Sequence, residues 1–220
     1  MASLKRTQRI LKGLNLIGNF VERPLRVGDI VLNDDGQHLI WANIEDVVDG
    51  FSLKGKTETS NRADLKFTSE SGVEVKFGGS ANANIAKGEV ELKFKSKNSA
   101  FISLKQIERT SVKLGLVNEE LKKYWKVHGF DKLANINKYH FISEVITAQS
   151  GTVIFSQDQG NTVVLKGKSD IPLTSLAVIG SGSVEFVINT KATLEIISET
   201  QIQPLYSAVR YRKNGNFEVI

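Results

Sequence analysis

The chain has 220 residues, a formal net charge of +5, a pI near 9.3 and no cysteine. Hydrophobic and charged contents of 40% and 24% are those of a folded protein, which excludes wholesale disorder. The missing cysteine excludes disulfides, thiolate metal sites, a cysteine nucleophile and S-acylation, and no run nears the roughly 18 apolar residues of a spanning helix.

The N-terminus lacks an apolar signal core, so the expectation is a soluble cytoplasmic chain. Its basic balance points to a polyanionic partner, either nucleic acid or an acidic membrane. Residues 1–30 hold six basic side chains against two acidic ones. Within "SLKRTQRILKGLN", Ser3 can cap a helix that Gly13 frays. Leu4, Ile10, Leu11 and Leu14 would share one side, and Lys5, Arg6, Arg9 and Lys12 would fill the rest. Such a helix suits an anionic bilayer surface, and equally a terminal helix packed on its own domain.

Pro24, Gly28 and "NDDG" at 33–36 mark turns around a short strand, Asp29–Leu32. "HLIW" at 38–41 reads as the returning strand or an apolar loop tip. "NIEDVVDG" reads as one or two helical turns, capped by Asn43 and ended by Gly50. From Lys54 to Leu104 the pattern is β. Residues 63–77, "ADLKFTSESGVEVKF", keep apolar or small residues at odd positions throughout. After the turn-like "GGSANANIAKG", Val90, Leu92 and Phe94 alternate with charges, so the two arms are expected to pair as a long hairpin. Next comes a helix over "EELKKYWKVH", capped by Asn118 and ended by Gly129, with a stripe of Leu121, Tyr124, Trp125 and His128. The strand "YHFISEVITAQ" follows, and then a second hairpin in "GTVIFSQDQGNTVVLKGKS", turning at Asp158–Asn161. Further strands lie in "GSVEFVI" and "ATLEIISETQIQ", and a final pair is joined at Asn214-Gly215.

Motifs for chemistry are few. "GFSLKGKT", Gly50–Thr57, matches the phosphate-cradling pattern G-x-x-x-x-G-K-[ST]. That pattern needs a strand before it and a helix after it, whereas here a short helix precedes and β alternation follows, so a polar turn is expected. His38, His128 and His140 stand apart without helical-spacing partners, which argues against a histidine metal site. No cofactor is expected, and the chain reads as a non-enzyme. Mixed charge on the strands makes a poor phosphate track, so nucleic acid is not expected as a partner.

Strand length carries more. A membrane-crossing strand needs about 9–11 residues, apolar toward lipid and polar toward a water-filled lumen. The 63–77 arm and its partner from Glu89 to Lys97 meet this. The second hairpin is less clean, with Val153 and Phe155 on one arm and Val163 and Leu165 on the return. With only two candidate hairpins, a barrel would have to be shared among many copies, which would remove unpaired edges. A soluble sheet with long half-buried strands fits the same alternation.

The order of elements resembles the pore-forming part of the gasdermin family and its bacterial and other non-vertebrate relatives. The likeness covers most of the chain: the basic N-terminal segment, the long hairpin with its turn "GGSANANIAKG", the polar helix before "YHFISEVITAQ", the second hairpin, and "QPLYSAVRYRKNGNFEVI" as the closing strand pair. The resemblance implies a twisted central sheet, binding to acidic lipid, oligomerisation, and insertion of both hairpin regions into a pore that kills the cell. It implies lipid contact at Lys5, Arg6, Arg9 and Lys12, with Leu39, Ile40 and Trp41 as an apolar tip. Bilayer-facing positions would be Leu65, Phe67, Val73, Val75, Phe77, Val90, Leu92 and Phe94, joined in the second hairpin by Val153, Phe155, Val163 and Leu165. Two features depart from the family's pattern: the acylated cysteine frequent in bacterial members is absent, and the 220 residues stop right after the last strand pair, so either an inhibitory tail lies outside them or restraint comes another way. Restraint by such a segment or by a partner protein, and release by a protease, are further implications.

The expectation is therefore one α+β domain over residues 1–220. It has a twisted, mostly antiparallel sheet with long hairpins, a basic N-terminal helix and one longer helix between two β regions. Its function would be gasdermin-like pore formation as a homo-oligomer on acidic phospholipid membranes. The alternatives are a soluble β-rich binding or structural module and, third, a nucleotide-binding protein using residues 50–57.

Overall fold

The structure is a computed structural model that describes residues 10–11, 16–19, 24–34, 37–60, 63–68, 72–79, 86–97, 99–156, 158–168, 173, 175–189 and 193–220. In chain order the elements begin with β1 (Ile10–Leu11), β2 (Leu16–Gly18), β3 (Asp29–Asp34), β4 (Gln37–Asn43), α1 (Ile44–Val47), β5 (Thr57–Thr59), β6 (Ala63–Thr68), β7 (Val73–Phe77) and β8 (Glu89–Phe94). They continue with β9 (Ser99–Val112), α2 (Asn118–Val127), β10 (Tyr139–Ala148), β11 (Ser150–Ser156), β12 (Asn161–Gly167), α3 (Leu176–Ile179), β13 (Val184–Asn189), β14 (Thr193–Ser198), β15 (Ile202–Tyr211) and β16 (Phe217–Val219). Strands dominate and every pairing whose register is resolved is antiparallel, as the alternating patterns require.

By its contacts the chain forms two compact units. The first comprises residues 1–61, 108–147 and 203–220, and the second residues 62–107 and 148–202. β9 contributes to both, the boundary falling after Ile107.

In the first unit, β15 lies between β2 and β10, and β10 also pairs with β3 and with the later half of β9. α2 supplies Leu121, Tyr124 and Trp125 to a core with Ile30, Ile44, Phe130, Phe141 and Val209. Those three helix residues sit at i, i+3 and i+4, which is why one face of α2 is dry. The helix ends as expected: Gly129 takes φ +66 and Phe130 N–H reaches back to Trp125 C=O. Asn118 does not cap it, however. Val117 occupies the cap position, Asn118 is the first helical residue, and its amide donates to Glu119 Oε1 at 3.1 Å. Asn43 does cap α1, accepting from Glu45 N–H at 3.1 Å. A second cluster combines Ile17, Leu25, Val31, Ile142, Val145, Tyr206 and Ala208.

The second unit is a sandwich. One sheet runs β6-β9-β11-β14, built on the first half of β9, and the other runs β13-β12-β8-β7. Between them Val90, Leu92, Phe94, Val163, Leu165 and Val184 from the second sheet meet Phe101 and Ile154 from the first. α3 closes this core with Ile179, and its C-terminal carbonyls accept from Thr152 Oγ1 at 2.8 Å and Ser150 Oγ at 3.1 Å.

Several expectations change. Ile10 and Leu11 are not helical: they form β1, which pairs with Leu16 and Ile17 of β2. Lys5, Arg6, Arg9 and Lys12 lie outside the described residues. The arm at 63–77 is two strands, β6 pairing with β9 and β7 with β8, in different sheets. Phe67 and Val73 are six positions apart, an even spacing, so parity survives the change of sheet and hides it. The pairing of β7 with β8 is as expected, Val75 standing opposite Leu92, but its arms have five and six residues. The second hairpin does not form. β11 and β12 belong to opposite sheets, and the turn between them is an arch from one layer to the other. His38 and His140 do not stand apart either, since β3 pairs with both of their strands and brings the two rings together.

Candidate membrane-active surfaces

Two surfaces gather the positions expected to meet lipid. The first is the four-stranded sheet β13-β12-β8-β7 of the second unit. Strand alternation turns Val73, Val75, Phe77, Val90, Leu92, Phe94, Val163 and Leu165 to one face. On β8 and β12 these side chains are fully buried, whereas on the outer strand β7 they are half-buried. Leu65 and Phe67, on β6, are half-buried in the other sheet. Val153 and Phe155 are buried at 0% and 2% exposure, but it is Ile154 between them that enters the sandwich core, so they lie on the opposite face of β11. All seven residues of β11 are buried, which is why alternation could not tell its faces apart.

The opposite face of the four-stranded sheet carries ion pairs of both signs. Glu74 Oε2 meets Lys95 Nζ at 3.0 Å, Lys76 Nζ meets Glu91 at 3.6 Å and Glu74 at 3.8 Å, and Lys166 meets Glu185 at 2.9 Å. The hydrogen bond from Lys95, helped by the charges of Lys76 and Lys93, holds the Glu74 carboxyl below its ordinary value. These pairs reach solvent in part or in full, so water screens them, and charge of mixed sign tolerates either water or an aqueous lumen. The sheet is thus amphipathic across its thickness.

At the start of the other sheet, β9 carries the one non-glycine residue with positive φ among the described residues, Gln106 at +45°. Its amide is tied to Asp64 Oδ1 at 3.1 Å, and Lys105 Nζ takes the other carboxylate oxygen at 2.7 Å. The Lys105 bond and then the Gln106 amide depress the Asp64 carboxyl.

The second surface is β4 in the first unit. It is a strand and not a loop tip. Ile40 turns inward against the cluster around Val31 and Tyr206, while Leu39 and Trp41 remain 44% and 45% exposed. The Trp41 ring is edge-on to Phe130 at 5.5 Å and near Tyr139, His128 and Tyr124 at 6.3, 5.9 and 6.5 Å. An exposed tryptophan anchored by aromatics is suited to an interface with one apolar and one wet side.

No family model matches the chain, and no curated protein matches it.

The phosphate-loop pattern lacks its context. Lys54–Lys56 is a turn, Lys56 N–H donates to Leu53 C=O, and the next residues, Thr57–Thr59, are a strand paired antiparallel with β9. The Lys56 ammonium lies 4.4 Å from the Phe51 ring centre and 3.7 Å from Glu120, and is thus held by protein groups of its own surroundings. An open groove of about 440 Å³ beside it is lined by Phe51, Lys56, Glu120, Lys123 and Tyr124 among others, a wall of both charge signs. Among the described residues no helix is long and apolar enough to cross a membrane, which bears only on helical spans.

Proposed function

We propose that this protein is a gasdermin-like pore former. It binds acidic membranes, oligomerises, and commits the strands of its second unit to a shared β-barrel. The observation that supports this most is the amphipathic hairpin β7–β8, continued by β12. In β7 and β8 one face is wholly aliphatic and aromatic, and the other is a lattice of lysine and glutamate. In the monomer the apolar face is covered by the partner sheet, and in the pore lipid takes that place. Complete burial of each such side chain is worth roughly 1.5–3 kcal/mol, so this face stays covered in water and is released only where hydrocarbon replaces the protein cover. The arms must lengthen to reach the roughly 9–11 residues of a crossing strand, drawing in the residues that flank β7 and β8. Leu39 and Trp41 would meet the interfacial region.

The test is dye release from liposomes of neutral or acidic lipid. Leakage from acidic liposomes is expected, and an intact, folded chain that leaks neither kind overturns the reading. One observation favours the alternative of a soluble β-rich module: Val90, Leu92 and Phe94 are fully buried, as in a permanent core.

A further inference from the structure

A chain of buried polar side chains runs through the first unit. Tyr206 on β15 has its hydroxyl 2.6 Å from His38 Nδ1 on β4, and His38 Nε2 is 2.9 Å from His140 Nδ1 on β10. The three residues are 0%, 7% and 4% exposed, and the histidine rings meet edge-to-face at 4.8 Å. One arrangement of hydrogens leaves none unpaired. Tyr206 O–H donates to His38 Nδ1, His38 Nε2–H donates to His140 Nδ1, and the remaining His140 nitrogen donates to the Asn137 carbonyl. In that state both imidazoles are neutral.

Among the described residues the surroundings offer a positive charge the Asn137 carbonyl as an acceptor, and no anion. From β3, Asn33 stands opposite His38 and Val31 opposite His140. From β15 come the Tyr206 hydroxyl and Arg210, whose positive charge acts on His140, and the segment before β10 adds the Asn137 carbonyl. On β16, Glu218 is opposite Arg210 and bonded to Arg212. Among the described residues neither ring has a carboxylate partner. A proton added to the chain would sit beside a second imidazole and an arginine, in a cluster otherwise made of Ile17, Val31, Ile142 and Ala208.

We propose that the His38–His140–Tyr206 chain is an acid-sensitive latch, in which proton uptake by either buried imidazole loosens the packing of β4, β10 and β15. Burial, then the neighbouring His140, brings His38 down to about 3, and burial, then Arg210, brings His140 down to about 4. The ordinary value is near 6.5, so between about pH 6.5 and 4 the unfolded chain binds protons that the folded one refuses. Stability is therefore complete above that window and is lost as pH falls through it. The proposal does not depend on membrane activity.

Equilibrium denaturation at pH 7.5 and 5.0 tests it on the whole chain. Each histidine should raise the unfolding constant on the order of 30-fold between these pH values, and the pair several hundred-fold, on top of any carboxylate contribution. A His38→Gln/His140→Gln variant, less stable at pH 7.5, should lose that part of the pH dependence. Equal pH dependence in both proteins overturns the proposal. If the variant does not fold, NMR titration of the wild-type imidazoles decides: two of the three histidines should show no titration above pH 5, and ordinary titration of all three overturns it.

Discussion

Val75→Lys separates a membrane strand from a permanent core, because the two environments price the substitution differently. Val75 lies on β7, at the edge of its sheet, opposite Leu92, and is half-buried. Losing half of a valine's burial costs about 1 kcal/mol, given roughly 1.5–3 kcal/mol for complete burial. The lysine stem can lie along the same apolar edge with its ammonium in water. A fold stable by about 5–15 kcal/mol survives that loss. At the lipid face of a barrel near the bilayer midplane, lysine costs about 2–4 kcal/mol in every subunit, some 30- to 1,000-fold in insertion each. The added positive charge should, if anything, favour adsorption to acidic lipid. Denaturant titration should thus find a folded monomer and co-sedimentation should find vesicle binding, while dye release falls at least tenfold. Release at the wild-type rate by a folded Val75→Lys protein refutes the assignment of β7 to the lipid face. Leu92 cannot serve for this purpose. It is fully buried among Val90, Phe94, Phe101 and Ile154, so even Leu92→Ala should cost about 2–5 kcal/mol and a charge there would unfold the unit.

Trp41 and Trp125 differ in exposure, 45% against 0%, so acrylamide should quench the emission of Trp41 alone. Acidic vesicles should shift that emission to the blue and protect it, and unchanged quenching would remove β4 from the lipid-contact surface. At Gln106, a glycine relieves the left-handed backbone while keeping the N–H bond to Asp64, so Gln106→Gly should raise stability by up to about 1 kcal/mol and Gln106→Val lower it by about 1–2 kcal/mol. Denaturation midpoints that move the same way in both variants would contradict that account.

Local patterns exposed much of the fold. Asn43 and Gly129 mark helix ends by their own chemistry, Asn214-Gly215 makes its turn with Gly215 at φ +81°, and the branched residues of 139–148 form a strand. What stayed hidden was anything decided by which strand pairs with which. Period-2 alternation reports that a residue has a dry side without naming its cover, so β6 and β7 read as one strand and β11 and β12 as partners. β9, the longest strand, was read only as far as Leu104, because its first six residues are all buried and Glu108–Ser111 beyond them are polar, leaving no alternation. The histidine chain was invisible for a related reason: His38 and His140 are 102 positions apart, and only the register of β3 against both strands brings them together. Of the candidate lipid-facing positions, the β7–β8 pairing was legible, while the distinction between half-buried Val75 and fully buried Leu92 needed the sheet order.

The place of β15 between β2 and β10 also sets an order of events during synthesis. Asn19 Nδ2 bonds the carbonyl of Gln203, 184 positions later, and Leu205 and Tyr206 pair with Gly18 and Ile17. The second unit is complete in sequence at Ile202, one residue before the last segment of the first unit begins. A growing chain can therefore finish its sandwich while β2 still lacks β15 on its other side, and closing so long a loop is the slow, late step. Until then Leu16 and Ile17 are unprotected, so a newly made chain depends on the arrival of its last strands to hide its first ones.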